Sequence, residues 1–211
     1  MQRDENTLPE TLEIQLVRAA FENNEPSRQA VEQGLRETSP RLYLLALRAG
    51  SHHDWISTAT WTVSLTDERV DVRREAVTLL ARSTGHDVTI DEALVEALRD
   101  EDPLVVDGAA FALGEHLYSP AVEELIDVAR DHEDARCRES AIAALGALGD
   151  DRARGVILNA LSDKPPVRRR AIVALSNFEG PDVEEALDRA SDDRDWQVRA
   201  AVDQLRASET D

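Results

Sequence analysis

The chain has 211 residues, 42% of them hydrophobic, which is enough to bury a continuous core, and its 43 Asp and Glu against 24 Lys and Arg give a formal net charge of -19. That charge repels a phosphate backbone, so nucleic-acid binding is disfavoured, and the single cysteine, Cys137, rules out an intrachain disulfide and a cysteine-based metal knuckle. No apolar run is long enough to span a membrane and the start, MQRDENTLPE, is too polar and acidic for a signal peptide, so a soluble cytoplasmic protein is expected.

In chain order, TLPETLEIQLVRAAFENN (residues 7–24) and PSRQAVEQGLRET (26–38) predict two starting helices, and SPRLYLLALRAG (39–50) predicts the second helix of a hairpin. DWISTATWTVSLTD (54–67) predicts the next helix, capped by Asp54, and VDVRREAVTLLARS completes its hairpin. SHHDW puts His52, His53 and Asp54 side by side. Adjacent imidazoles on a turn do not converge on one tetrahedral ion, so an exposed turn is expected there, and the isolated His86 and His116 read the same way. Trp55 and Trp61, six residues apart on one helix, cannot share a face, and at least one is expected to meet solvent or another element.

From residue 72 onward a unit repeats. VRREAVTLL, VVDGAAFAL, CRESAIAAL and VRRRAIVAL begin at Val72, Val105, Cys137 and Val167, and a shorter VRAAVDQL begins at Val198. A period in the low thirties is the length of two short helices and two turns, and a hydrophobic pattern recurring with it argues for a solenoid. Within a block the first, fifth and ninth residues are apolar, as in Val167, Ala171 and Leu175, which is one helical face. Between the blocks lie the first helices of each hairpin, TIDEALVEALRD, SPAVEELIDVARD, DRARGVILNALSD and GPDVEEALDRASD. Ser119-Pro120 and Asp102-Pro103 predict a capping side chain before a first-turn proline, and Gly114, Gly149 and Gly180 fall at predicted hairpin turns. The expectation is an all-α fold: a single solenoid domain over 1–211, stacked as a curved right-handed array of antiparallel helix pairs. It has an atypical cap region at 7–50, regular repeats at about 54–205 and a fraying tail at 206–211.

The blocks DARCRESAIAALGALGDDRARGVILNALSD and KPPVRRRAIVALSNFEGPDVEEALDRASD resemble HEAT repeats of the short, lyase-type class (PBS lyase HEAT-like). That class has an Asp/Pro turn, then Val-Arg, then an Ala-rich helix ending in Leu-Gly. The resemblance implies that second helices line a concave surface and that the Arg after the Val ties consecutive repeats together. The matching positions are Arg73, Arg138, Arg168 and Arg199, with Val106 interrupting the series. Relatives of this class include bilin lyases, iron hydroxylases and alkylated-DNA repair proteins. The only His-Glu pair here, His132-Glu133, lies in a turn without a second copy, so an iron site is not expected, and the acidity disfavours DNA.

No nucleophile-base pair, phosphate loop or carboxylate dyad is visible, and Cys137 reads as buried filler, so no catalytic residue, cofactor or metal is expected. The polar middle of the second helices, Arg74, Asp107, Glu139, Arg169 and Arg170, with Phe111 beside it, is the candidate interaction surface for another protein or peptide segment of mixed charge. A cofactor-handling, bilin-lyase-like role is the alternative; the oligomeric state stays open. Lys164 is the only lysine. Arginine in place of lysine together with the charge of -19 resembles the acidic surface of proteins from salt-accumulating archaea, so a halophilic protein is expected.

Overall fold

The computed structural model describes residues 11–83 and 87–208. Among the described residues the regular elements are all helical, and the chain divides into two compact units between Leu79 and Leu80. The first unit holds α1 (Leu12–Ala19), α2 (Glu25–Gly34), α3 (Pro40–His52), α4 (Thr58–Leu65) and most of α5 (Val70–Leu80). The second holds α6 (Val88–Ala97), α7 (Pro103–Glu115), α8 (Val122–Asp131), α9 (Ala135–Leu148), α10 (Arg154–Ala160), α11 (Pro165–Leu175), α12 (Pro181–Ser191) and α13 (Trp196–Ser208). The His86 reading, residues 7–10 of the first expected helix and residues 209–211 of the expected tail lie outside the described residues.

In the second unit each odd-numbered helix packs on the helix before it, and α7, α9, α11 and α13 also pack on one another in series. This is a solenoid of antiparallel helix pairs. Small residues let the second helices approach: a Cβ at Gly114 would sit 2.8 Å from the Ala144 Cα, and one at Gly146 would sit 2.8 Å from the Ala174 Cα. Leu94, Leu113, Leu125, Ile142, Leu145, Ile157 and Ile172 fill the interior, each fully buried. The first unit closes around Leu16, Ala19, Ala30, Val31, Ala46 and Ala49.

Capping carboxylates start many of the helices. Asp87, Asp102 and Asp134 each accept a backbone N–H two residues on, at 2.9, 3.1 and 2.9 Å. Ser119 behaves differently from the sequence expectation. It opens a 3-10 turn, Ser119–Ala121, without a side-chain capping bond, and a second such turn, Asp151–Ala153, leads into α10. Gly149 takes the left-handed conformation that ends α9 (φ 62°) and Gly180 precedes α12 at φ 139°. Gly114, expected at a turn, lies inside α7 at the helix contact just described. The left-handed residue after α7 is Leu117 (φ 51°), whose neighbour Tyr118 donates back to the Leu113 carbonyl at 3.1 Å.

Three further expectations change. α4 starts at Thr58 with Ser57 as its cap, so Asp54 caps nothing and adopts φ 56°, and Trp55 precedes the helix while Trp61 is buried within it. His53 is not a bystander: it is half-buried, donates from Nε2 to the Ala19 carbonyl at 2.9 Å and stacks on Trp55. At the other end α13 continues through Arg206 to Ser208, and Arg206 bonds Ser191 Oγ at 3.2 Å and pairs with Asp188, which holds residues that the fading repeat pattern marked as frayed.

Candidate interaction surface

The surface begins with how the second helices are tied. Arg138, in the first turns of α9, donates from Nη1 to the His132 and Glu133 carbonyls at 2.6 and 3.1 Å. Its Nε and Nη2 both reach the Asp163 carboxylate at 2.6 Å, in the turn between α10 and α11. Asp163 passes the link on, because its carbonyl accepts Nη1 of Arg168 at 2.8 Å. Arg168 then holds the Asp193 carboxylate through Nε and Nη2 at 2.9 and 2.7 Å, and the Asp193 carbonyl accepts from Arg199 at 2.7 Å. The result is a continuous relay along three consecutive hairpin turns, made of planar two-point contacts that only Arg supplies. Arg138 beside Asp163 and Arg168 beside Asp193 hold both carboxyls below their ordinary range. In the first unit Arg73 Nη1 reaches the Asp67 carbonyl at 2.9 Å.

Where Val106 replaces the arginine, the acceptor is replaced too. His132 stands at the place in its turn that Asp163 and Asp193 occupy in theirs, and Val106 is fully buried. Sequence reading found the arginines and missed the aspartates. The signal was present as an Asp five or six residues before three of the four arginines: Asp67 before Arg73, Asp163 before Arg168 and Asp193 before Arg199.

The relay ties α9 to α11, and the close approach of Gly114 to Ala144 ties α7 to α9, so the three helices form one face. Asp107 accepts from Ser140 Oγ across α7 and α9, and Glu139 lies 3.6 Å from Arg170 and 3.9 Å from Arg169 across α9 and α11. One carboxylate against two guanidiniums leaves the α11 end of this row positive, while Asp107 leaves the α7 end negative. Both arginines remain partly exposed. One turn further along the same helices runs a second, apolar row: Phe111, 49% exposed, Ala143, and Val173, 52% exposed. Val173 was not singled out in the sequence, although it follows Arg169 by one helical turn. Trp196, at the start of α13, is also exposed, at 67%. Arg74 belongs to the first unit, partly exposed and 3.7 Å from Asp71.

Chemistry is sparse elsewhere. Burial pushes the Cys137 thiol up to about 12, and its Sγ lies 3.1 Å from the Pro103 carbonyl, so it is inert filler. His116 departs from the exposed-turn reading: it is buried, with Nδ1 2.6 Å from Asp91 Oδ1 and Nε2 donating to the Leu80 carbonyl at 3.0 Å. Among the described residues no group of three His, Cys, Asp or Glu is placed to hold a metal ion, and no helix is long and apolar enough to cross a membrane.

These repeats match the family model for HEAT repeats over residues 58–146 and 122–206, and the chain belongs to the HEAT-repeat family. No curated protein matches the sequence. Among solved structures, the complex of CpcE and CpcF of phycocyanin lyase from Nostoc sp. PCC7120 is similar at a TM-score of 0.65 and 20% identity, over 72% of this chain and 64% of that one. This chain therefore spans less than two thirds of that relative's length. A designed armadillo repeat protein in complex with the peptide (KR)4 is similar at a TM-score of 0.56 and 15% identity, over 94% of this chain and 99% of that one. An engineered protein is similar at 0.59 and 20% identity, over 93% and 97%. Likenesses at this identity show the fold.

Proposed function

We propose that the protein is a non-enzymatic scaffold that holds a polypeptide segment across the second helices α7, α9 and α11. The observation that carries this reading is the pairing of two parallel rows on one rigid face: the bipolar row Asp107, Glu139, Arg169 and Arg170 and the exposed apolar row Phe111, Ala143 and Val173. An extended segment offers both apolar side chains and alternating charge at the spacing of successive helices, whereas an open face gives a small metabolite little enclosure. The similar designed armadillo protein is itself a peptide binder, which supports the same use of this fold. The relay ties α9 to α11 and the Gly114–Ala144 approach ties α7 to α9, so the two rows are preorganised before any partner arrives.

The second reading is a bilin- or other cofactor-handling protein of the lyase-type HEAT class, favoured by the likeness to the phycocyanin lyase complex. One experiment separates the two. Protein purified from its native host, with bound material identified by mass, carries a polypeptide under the scaffold reading and a coloured or other small molecule under the alternative. Nucleic acid is disfavoured by the charge of -19. A cytoplasmic, salt-rich setting is part of the proposal.

A further inference from the structure

The step from one second helix to the next restricts what can lie across them. A Cβ at Gly114 would meet the Ala144 Cα at 2.8 Å, and one at Gly146 would meet the Ala174 Cα at the same distance. Counted from the residue that opens each block, both contacts join the tenth place of one helix to the eighth of the next. Adding the Cα–Cβ bond puts the paired Cα atoms at most about 4.3 Å apart. With each Cα about 2.3 Å from its helix axis, α7, α9 and α11 follow one another at steps of about 8–9 Å.

Phe111, Ala143 and Val173 all stand at the seventh place of their blocks, so they recur at that step. Phe111 and Val173 are exposed, and the small, half-buried Ala143 between them leaves a seat for one side chain from outside. In the block that starts at Val198 the seventh place is Gln204, so the apolar row ends at α11. A β-strand turns side chains to one face every second residue, about 6.7 Å apart, which falls short of the step. An α-helix returns to one face after two turns, about 10.8 Å, and runs past it. A polyproline II helix returns every third residue, about 9.3 Å, and stays in step over both intervals.

Charge changes sign along the same direction. α7 carries Asp107 and Glu115 and no cation, one turn to either side of Phe111. Asp107 accepts from the neutral Ser140 Oγ and so keeps its charge. On α9, Arg136 is held by Asp134 at the start of its own helix. α11 carries Arg168, Arg169 and Arg170 and no carboxylate. Arg168 is taken up by Asp193, and Glu139 answers only one of the other two, which leaves this end positive.

Building on the scaffold reading, we propose that the segment held by α7, α9 and α11 is a proline-rich stretch in the polyproline II conformation. Its proline or apolar side chains at i, i+3 and i+6 lie over Phe111, Ala143 and Val173. A basic residue stands at its α7 end, beside Asp107 and Glu115, and an acidic residue at its α11 end, beside Arg169 and Arg170. Such a segment is extended before it binds, so little conformational freedom is lost on docking. Its repeat brings every third side chain to one side, as the row requires.

The test selects short unstructured peptides displayed on phage against the full chain and titrates the enriched ones by fluorescence anisotropy. They should carry proline or apolar residues at every third position, with basic residues at one end and acidic residues at the other. One glycine inserted between the anchors should weaken binding about 10-fold or more, as should Ala143→Leu, which fills the seat. Arg169→Glu/Arg170→Glu should weaken it similarly, and retained helicity by circular dichroism shows that the variants fold. Peptides that lose affinity for Arg169→Glu/Arg170→Glu, yet repeat every second or seventh residue or tolerate the glycine or Ala143→Leu, overturn the polyproline assignment and leave the scaffold reading standing. If no peptide is enriched, or if the enriched ones bind wild type and every variant equally, both are overturned.

Discussion

The Arg138 guanidinium and the Asp163 carboxylate meet through two bonds of 2.6 Å each, and the Asp163 carbonyl then receives Arg168. One aspartate thus joins two arginines on successive second helices. Arg168 and Asp193, whose side chains are 5% and 16% exposed, repeat the contact in a drier place. Removing one partner of a buried pair strands the other, so Arg168→Ala should lower stability by about 2–4 kcal/mol. Arg189→Ala, in a pair that is fully exposed on α12, should cost less than about 1 kcal/mol. Urea midpoints of the two variants check this.

The same pairs set the response to acid. Arg138 and Arg168 lower the carboxyls of Asp163 and Asp193, and Arg136 and Arg152 bring Asp134 and Asp150 to about 2. A carboxyl lowered on folding stabilises the folded state above its unfolded value and loses that contribution as pH falls through its folded one. Urea midpoints should therefore fall as pH is taken from about 4 towards 2. Asp163→Asn/Asp193→Asn should start lower at neutral pH and lose less over that window.

Asp91 and His116 form a buried unit. The Leu80 carbonyl can only accept, so Nε2 carries a hydrogen, and a proton bridges Nδ1 and the Asp91 carboxyl. His116→Ala removes that partner from a buried carboxyl and should cost about 2–4 kcal/mol. The double variant with Asp91→Ala should cost less than the sum of the two single changes, which a double-mutant cycle in urea measures directly.

Two glycine exchanges should act in opposite directions. Gly146→Ala drives a methyl to 2.6 Å from the Ala174 Cβ and 2.8 Å from its Cα, so the α9–α11 contact must open, at about 1–3 kcal/mol. Leu117→Gly, by contrast, relieves a left-handed backbone at an exposed position (φ 51°) and should raise stability by up to about 1 kcal/mol. Thermal midpoints should shift down for the first and up for the second.

The repeats from Val72 onward were legible because their apolar residues recur at helical spacing with a near-constant period, and the solenoid followed from that alone. Helix starts were less so. Ser119-Pro120 and Asp102-Pro103 look alike in sequence, yet only Asp102 caps, because the chain before Ser119 turns through the left-handed Leu117 and enters a 3-10 turn. His116 and Asp91 are 25 residues apart, and no local pattern announces that the fold brings them together. The same distance hid Asp163 from Arg138. On the interaction face, Arg169 and Arg170 drew notice as charges in an Ala-rich helix, whereas Val173, which is exposed, lies off the first, fifth and ninth places of its block and was not singled out.

Salt should be a stabiliser. A charge of -19 repels itself in dilute buffer, and at about 1 M salt the screening length falls to about 3 Å. The urea midpoint should rise markedly between about 0.1 M and about 2 M KCl. A flat response contradicts the halophilic proposal and leaves the repeat architecture untouched.

The most direct test of the scaffold reading is the affinity, by calorimetry, of a polypeptide recovered with the protein from its native host. It is measured against wild type, Arg169→Glu/Arg170→Glu and Phe111→Asp. The account predicts one-to-one binding that each variant weakens about 10-fold or more, with helicity retained. Equal affinity for all three proteins, or recovery of a bound small molecule and no polypeptide, would contradict it.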